Sequence, residues 1–438
     1  MRRVAFTTLG CKVNQYETQR IQQDFERAGF VVVPFQEEAD VYVINTCSVT
    51  GQAESKSRQT IRRARRANPN AKVIVTGCAA QMALNQGKEI AEADLVIPNP
   101  VKLETFRRFL ERFPLPPTVD AAPHDLIRLV GRRTRATVKI QDGCDVLCSY
   151  CSIPKTRPVM TSRPYEEVLE EVGRLAEEGY REIVLTGVLI GAYGPKTGSG
   201  GPDFEDLIGL LGEVKGISRI RISSIEMRQV TDRLLELMAN PASKVVPHLH
   251  IPLQSGSTKV LRDMNRPYTK EDYLHLCDRV YDRVPRVAIT TDILVGFPTE
   301  SDEDFYDTVD VCERVRYLKA HLFRFSLRPG TKADVWGDPV PPQVKQERSR
   351  ILSQVTDRTR WAFVERFIGA RVTVLVERRS PKSGRLMGHS EQYIEVELEG
   401  PDAWIGEEIA VRICETHGDV AIGEPLIPLT STETPAGR

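Results

Sequence analysis

Runs of β-branched and aliphatic residues recur through the first hundred positions, at 4–9, 30–35, 41–46, 72–76 and 95–98. Helical stretches fall between them at 17–28, 52–67 and 82–93. This strand–helix alternation predicts an α/β unit built on an open parallel sheet. A Pro-rich stretch at 113–117 reads as a linker. The alternation then resumes on a larger scale. Strands are expected at 135–141, 182–186, 219–223, 248–252, 287–294 and 320–325. Helices are expected at 165–178, 231–238, 270–283 and 301–316. Six such units predict a partial (β/α)6 barrel, short of the eight of a closed one. A long charged helix follows at about 343–367. After Gly369 the period drops to two, with short strands at 371–378, 385–389, 393–398, 407–414 and 420–427. Five such strands predict a small antiparallel β-barrel. The expected domains are therefore 1–118, 130–367 and 368–430, with a frayed Ser/Thr/Pro/Gly-rich tail.

Composition narrows the function classes. The 438 residues carry 60 basic and 60 acidic side chains, which excludes a wholly basic nucleic-acid coat. Any RNA binding must come from local patches. No apolar run approaches the roughly 18 residues of a membrane span. Polar residues Thr7, Thr8 and Lys12 interrupt the start too early for a signal-peptide core. A cytoplasmic chain without a membrane partner is expected. Nine cysteines, an odd number in a large chain, then point to metal or redox chemistry rather than disulfides.

Three of them, Cys144, Cys148 and Cys151, stand at C-x3-C-x2-C in a loop after an expected strand. A structural zinc site wants four closed ligands, and no nearby Cys or His supplies a fourth. A cubane iron–sulfur cluster on three thiolates leaves one iron open. Three more, Cys11, Cys47 and Cys78, each directly follow an expected strand. Strand carboxyl ends share one edge of a parallel sheet, so these thiolates can converge there. The alternative is three packing cysteines acting as small hydrophobes. Cys277, Cys312 and Cys414 fall inside expected helices and a strand and read as packing residues. His248 and His250 share one strand face and read as structural imidazoles.

The C-x3-C-x2-C loop, with Tyr150 before its last cysteine, resembles that of the radical S-adenosylmethionine superfamily. There the open iron chelates S-adenosylmethionine, and reduction releases a 5′-deoxyadenosyl radical. Paired with a second three-cysteine set, the loop resembles the methylthiotransferases. Thr7-Thr8-Leu9-Gly10-Cys11-Lys12-Val13-Asn14-Gln15-Tyr16-Glu17-Thr18 is similar to the branch acting on N6-threonylcarbamoyladenosine in tRNA. Other branches carry different residues after this cysteine. Asn45-Thr46-Cys47-Ser48-Val49-Thr50, Lys56-Ser57-Arg58-Gln59, Pro252-Leu253-Gln254-Ser255-Gly256-Ser257 and Val295-Gly296-Phe297-Pro298-Thr299-Glu300 also match. Two positions depart from the family pattern, Arg157-Pro158 and Glu226-Met227.

The resemblance implies two 4Fe-4S clusters, one on Cys144, Cys148 and Cys151 and an auxiliary one on Cys11, Cys47 and Cys78. It implies S-adenosylmethionine across the barrel strand ends, near Tyr150, Thr186, Gly187, Ser223, Ser224, Glu226, Gln254 and Gly296. Gly296 would let adenine pack on the backbone. A basic run, Lys56, Arg58, Arg62, Arg63, Arg65 and Arg66, has Glu54 as its one nearby counter-charge and suits phosphate contacts. The last domain resembles a TRAM domain, with Arg378, Arg379, Lys382 and Arg385 as candidate RNA contacts. The implied reaction converts N6-threonylcarbamoyladenosine at position 37, beside the anticodon, to its 2-methylthio derivative. Its partners would be the tRNA anticodon stem-loop, an external electron donor and a sulfur source, with no obligate protein partner. Alternatives are another modified adenosine, a ribosomal protein substrate, or a non-catalytic RNA-binding iron–sulfur protein.

Overall fold

The computed structural model describes residues 2–114 and 134–426. Linker positions 115–117 and the expected tail lie outside the described residues.

The N-terminal unit runs β1 (Arg3–Thr8), α1 (Lys12–Arg27), β2 (Val31–Val33), β3 (Val41–Thr46), α2 (Gly51–Ala67), β4 (Lys72–Gly77), α3 (Cys78–Asn85), β5 (Leu95–Val96) and α4 (Thr105–Arg112). All five strands pair in parallel in the order β2-β1-β3-β4-β5. β3 is buried along its whole length, as a central strand covered on both faces must be. Its Tyr42 and Ile44 join Ile61, Val73 and Val75 in one core. Its Val41 and Val43 join Phe25, Ile74 and Phe109 in the other. That split is the two-residue period of a strand.

Two helices start earlier than the residue pattern suggests. α1 begins at Lys12 rather than 17, and α3 begins at Cys78 rather than 82 and ends at Asn85. Gly77, at φ 96°, turns the chain from β4 into α3 with no loop between. Only glycine tolerates that region cheaply, and a Cβ there would stand 2.3 Å from the Thr46 carbonyl oxygen.

The middle comprises β6 (Arg135–Lys139), β7 (Gln141–Asp142), α5 (Ile153–Thr156), β8 (Thr161–Ser162), α6 (Tyr165–Glu177), β9 (Glu182–Thr186), α7 (Phe204–Gly212), β10 (Arg219–Ile222), α8 (Asp232–Ala239), β11 (His248–His250), α9 (Thr258–Asp263), α10 (Lys270–Arg283), β12 (Ala288–Val295), α11 (Asp302–Val315), β13 (Lys319–Arg324) and α12 (Pro342–Glu365). β6, β9 and β10 form one parallel sheet and β11, β12 and β13 another. Isolated parallel bridges at Ile220–Val245 and Ser224–His250 join the two. The result is an open six-stranded arc in chain order, with helices outside. Reciprocal capping boxes at Asp203/Asp206, Thr269/Asp272 and Ser301/Asp304 start α7, α10 and α11. The α7 helix was not among the expected elements. Cys277 and Cys312 are buried in the helical layer.

The last unit is a closed barrel, β14 (Arg371–Arg379), β15 (Leu386–Ser390), β16 (Glu395–Leu398), β17 (Glu408–His417) and β18 (Val420–Pro425), in the order β14-β15-β16-β18-β17. The β16–β18 pair is parallel, which corrects the all-antiparallel expectation; closing five strands requires one such pair. Cys414 is exposed rather than packed, because it points outward from β17. Arg219 donates to the Thr373 and His389 carbonyls at 2.7 and 3.2 Å, docking this barrel on the central unit. Among the described residues, no helix is long and apolar enough to cross a membrane.

Candidate metal centre

Cys11 and Cys47 follow β1 and β3, and Cys78 opens α3 directly after β4, so adjacent strands deliver all three to one sheet edge. Their thiols are mutual electrostatic neighbours. A Cβ on Gly10 would stand 2.7 Å from the Cys47 Sγ, so glycine there keeps the first two loops in contact. Asn14 ties the same loops, donating to the Leu9 and Thr46 carbonyls at 2.9 and 3.0 Å. Asn99 contacts the Cys78 Sγ at 3.7 Å and donates to the Thr156 carbonyl at 2.9 Å.

Cys144, Cys148 and Cys151 form a second cluster of mutual neighbours in the loop after β7. Backbone N–H groups of Val146 and Ile153 approach the Cys144 and Cys151 sulfurs at 3.4 Å each. Arg266 donates to the Cys148 Sγ at 3.3 Å and to Glu226 at 3.1 Å. Gln141, which the sequence did not single out, shapes this loop. Its amide donates to the Asp142 and Gly143 carbonyls, 2.8 Å each, and accepts from Val188 and Leu189 at 3.0 and 2.8 Å.

The sulfurs of neither triad all lie within 4.8 Å of one another. A tetrahedral zinc ion with Zn–S near 2.3 Å would hold them about 3.8 Å apart. Neither triad is therefore set for a single tetrahedral zinc ion. Burial pushes the Cys47 and Cys144 thiols up to about 11 and the Cys151 thiol up to about 12. Cys11 is open to solvent on its surface, yet the surrounding protein raises its thiol too. Such thiols stay protonated at neutral pH unless a metal takes the proton's place. Beside them, the Ser48 and Ser149 hydroxyls are buried without a protein partner. Each directly follows a cysteine, one in each triad, so the donor set fits the clusters that the resemblance implies.

Residues beside Cys47 and Cys151 line one cavity. A cavity of about 150 Å³ is lined by Val49 and Thr50 from the Cys47 loop, Tyr150 from the second loop, and Gln254, Asp292, Leu294, Arg324, Phe325 and Arg328. No cysteine lines this cavity itself or a larger open groove near Asp206 and Arg233 on the outer helices.

Of the expected cofactor contacts, Thr186 and Ser223 are buried at strand ends, and the Ser223 hydroxyl has no protein partner. Ser224 is exposed beside it. Gly187 packs on Gln141, 3.0 Å from where its Cβ would be. Gln254 adopts φ 69° at the cavity wall. Glu226 pairs with Arg266. Gly296 follows β12 at φ 71°. A Cβ on it would stand 2.4 Å from the Lys345 side chain of α12, so only glycine fits there. His250 also departs from the bland reading. It lies 3.3 Å from Asp292 and near His321 on the next strand but one, whereas His248 is buried against Thr290 and Tyr393.

The basic helix α2 divides. Arg65 is structural: it pairs with Asp94 at 2.6 Å and donates to the Glu92, Pro69 and Ala71 carbonyls. Arg58 and Arg62 pair with Glu54 and Glu92, so Glu54 is not the sole counter-charge. Lys56, Arg63 and Arg66 remain exposed without ion pairs among the described residues. On the last barrel, Arg379 and Arg385 pair with Asp402 and Glu399, while Arg378 and Lys382 are exposed.

Family comparisons agree with this layout. Residues 3–98 match the model described as "Uncharacterized protein family UPF0004", 138–312 the radical SAM superfamily, and 365–426 the TRAM domain. The chain is 37% identical over 428 residues to the threonylcarbamoyladenosine tRNA methylthiotransferase MtaB of Bacillus subtilis, covering 94% of each chain. It is 36% identical to the protein of that name from Aquifex aeolicus, over 91% of this chain and 97% of that one. It is also 36% identical to the tRNA-2-methylthio-N(6)-dimethylallyladenosine synthase of Thermotoga petrophila, over 93% of each. Among solved structures, the radical S-adenosylmethionine methyltransferase TsrM of Kitasatospora setae shares the fold. Its TM-score is 0.51 at 15% identity, over 76% of this chain and 77% of that chain. The chain belongs to the radical S-adenosylmethionine tRNA methylthiotransferase family.

Proposed function

We propose that the chain transfers a methylthio group to C2 of N6-threonylcarbamoyladenosine at position 37 of tRNA. The observation that supports this most is the pair of three-cysteine sets, with Val49, Thr50 and Tyr150 beside them lining one cavity, in a chain that matches relatives named for that activity over nearly its full length. We assign residues 1–118 to the auxiliary cluster, 130–367 to the radical barrel and 368–430 to RNA binding.

When bound, a 4Fe-4S cluster at Cys144, Cys148 and Cys151 supplies the electron that makes S-adenosylmethionine a hydrogen-abstracting agent, and one at Cys11, Cys47 and Cys78 supplies a site for sulfur. An aromatic C–H is neither acidic nor electrophilic, so such chemistry belongs to cofactors that the protein positions. The chain's own residues do the positioning. Arg266 holds Glu226 and the Cys148 sulfur together. Gln141 fixes the Cys144 loop against the β9 end, where Thr186 and Gly187, with Ser223 and Ser224 at the β10 end, line the cofactor side. Tyr150 and Gln254 wall the gap between the loops. The anticodon loop is single-stranded, so its base can be splayed into that gap. Lys56, Arg63 and Arg66 on α2, with Arg378 and Lys382 on the last barrel, neutralise phosphates outside it. Electrons and sulfur come from outside the chain, in the cytoplasm where tRNA is modified.

Expression in a host lacking its own enzyme, followed by mass spectrometry of tRNA nucleosides, tests the reading. The 2-methylthio derivative of N6-threonylcarbamoyladenosine should appear. Its absence, or its replacement by the dimethylallyladenosine product, overturns the substrate assignment.

A further inference from the structure

Resting on the reading that a tRNA adenosine enters the cavity, we infer that the Phe323 ring is the platform on which its base stacks. The β12–β13 register pairs Asp292 with His321 and Leu294 with Phe323, and paired residues share a sheet face. Ala320 and Leu322, the alternate residues of β13, pack against the helical core. The two-residue period of a strand therefore turns His321 and Phe323 the other way, into the barrel. Exposure follows the same alternation along β13, with Ala320 and Leu322 half-buried and His321 and Phe323 exposed.

Phe323 lines the cavity together with Leu294, Tyr150 and Val49. Its ring is 38% exposed and has no ring or cation partner among the described residues. Phe325, which lines the same cavity, is buried instead against Phe297, with ring centroids 5.5 Å apart. Val49 is 52% exposed. The cavity thus holds two unburied apolar side chains, one from the N-terminal unit and one from the barrel. Apolar surface left in water is recovered as free energy when an apolar face covers it. A flipped base supplies such a face and is read by stacking between aromatic and apolar side chains. Two adenines are available, that of the tRNA and that of S-adenosylmethionine. The cofactor belongs to the centre at Cys144, Cys148 and Cys151, whereas the reacting base must reach both centres. A cavity lined from both units suits the base. Stacking uses the face of a ring system and is blind to its edge. Phe323 therefore holds threonylcarbamoyl- and dimethylallyl-substituted adenosine alike and leaves the choice between them to other residues.

The test uses the reconstituted full-length protein and three anticodon stem-loop RNAs. Position 37 carries N6-threonylcarbamoyladenosine in the first, the dimethylallyl nucleoside in the second and no base in the third. Wild type should bind either base-bearing RNA about 10- to 100-fold more tightly than the abasic one, the scale of one base stacked on an aromatic ring. Phe323→Ala should bind all three alike, at the abasic level. Phe323→Tyr should keep most of the difference. The KM for S-adenosylmethionine in 5′-deoxyadenosine formation should stay at the wild-type value in both variants. Iron content, measured on each, separates a lost contact from a lost cluster. If Phe323→Ala loses iron, Phe323→Leu takes its place, since it keeps apolar volume without a flat ring, and it must lose most of the difference. Equal wild-type binding of base-bearing and abasic RNA, or a difference that survives in Phe323→Ala, overturns the proposal. A KM for S-adenosylmethionine raised as much as the RNA Kd also overturns it, because the ring then serves the cofactor's adenine. Wild type that methylthiolates only the dimethylallyl RNA, with the dependence on Phe323 intact, overturns the substrate reading and upholds the stacking role.

Discussion

Arg157 and Glu17 form a two-pronged ion pair, 3.0 and 2.8 Å, buried between the N-terminal sheet unit and the barrel. Each stands six positions beyond a cysteine, Cys151 and Cys11. Lys102 and Lys139 reach the same carboxylate at 2.8 and 2.7 Å, and Asp142 balances Arg157 and Lys139 from two positions before Cys144. Arg157 also donates to the Asn14 side chain at 3.0 Å, the residue that ties the Cys11 and Cys47 loops. One network therefore sets the spacing of the two cysteine centres.

Removing one member of such a network leaves buried charge uncompensated, at about 3–5 kcal/mol. Arg157→Gln should lower chemical-denaturation stability by about that amount. It should also raise 5′-deoxyadenosine formed per methylthiolated product, because the centres are no longer held in register. A variant of native stability and unchanged coupling would refute this role.

The same network sets a pH dependence. Lys102, Arg157 and Lys139 together outweigh burial and hold the Glu17 carboxyl well below the usual 4.5. A carboxyl depressed on folding contributes stability above its unfolded pKa and loses it as pH falls toward the folded value. Stability should thus fall with acidification below about pH 4.5. Comparing wild type with Glu17→Gln from pH 7 to pH 3 should show a large difference at pH 7 that shrinks in acid. A constant difference would contradict the assignment.

Iron content tests the two centres separately. The Cys144/Cys148/Cys151→Ala variant should retain about four irons of the wild-type eight, as should the Cys11/Cys47/Cys78→Ala variant. Full loading of either triple variant would show that its cysteines are not ligands.

Gly77→Ala should selectively lose the auxiliary centre. Its Cβ meets the Thr46 carbonyl oxygen at 2.3 Å and its φ is 96°, so β4, α3 and Cys78 must shift. About four irons and a stability loss of roughly 1–3 kcal/mol are expected. Wild-type iron loading would argue that the loop adapts.

On α2, Arg63→Ala with Arg66→Ala should weaken tRNA binding and flatten its salt dependence by roughly one to two units of slope. Arg65→Ala should instead lower stability with the slope unchanged, since that side chain binds Asp94 and three carbonyls. Equal salt effects from both variants would erase the distinction.

Spacing alone revealed the six cysteines as two sets, because C-x3-C-x2-C and strand-end position are local properties of a chain. Strand alternation likewise announced a parallel sheet, a six-unit arc and a small barrel, since period and turn chemistry act over a few residues. Tertiary structure decided the rest. Nothing near Glu17 in sequence marks it as buried, since its partners Lys102, Lys139 and Arg157 stand 85 to 140 positions away. That Gly296 admits no side chain is decided by Lys345, which α12 brings in from 49 positions away. Arg65 and Arg66 are neighbours of one type, yet only the fold separates the one that clamps carbonyls from the one that faces solvent. Local pattern carries backbone geometry; which charge meets which depends on where distant segments pack, and that is settled only when the chain closes on itself.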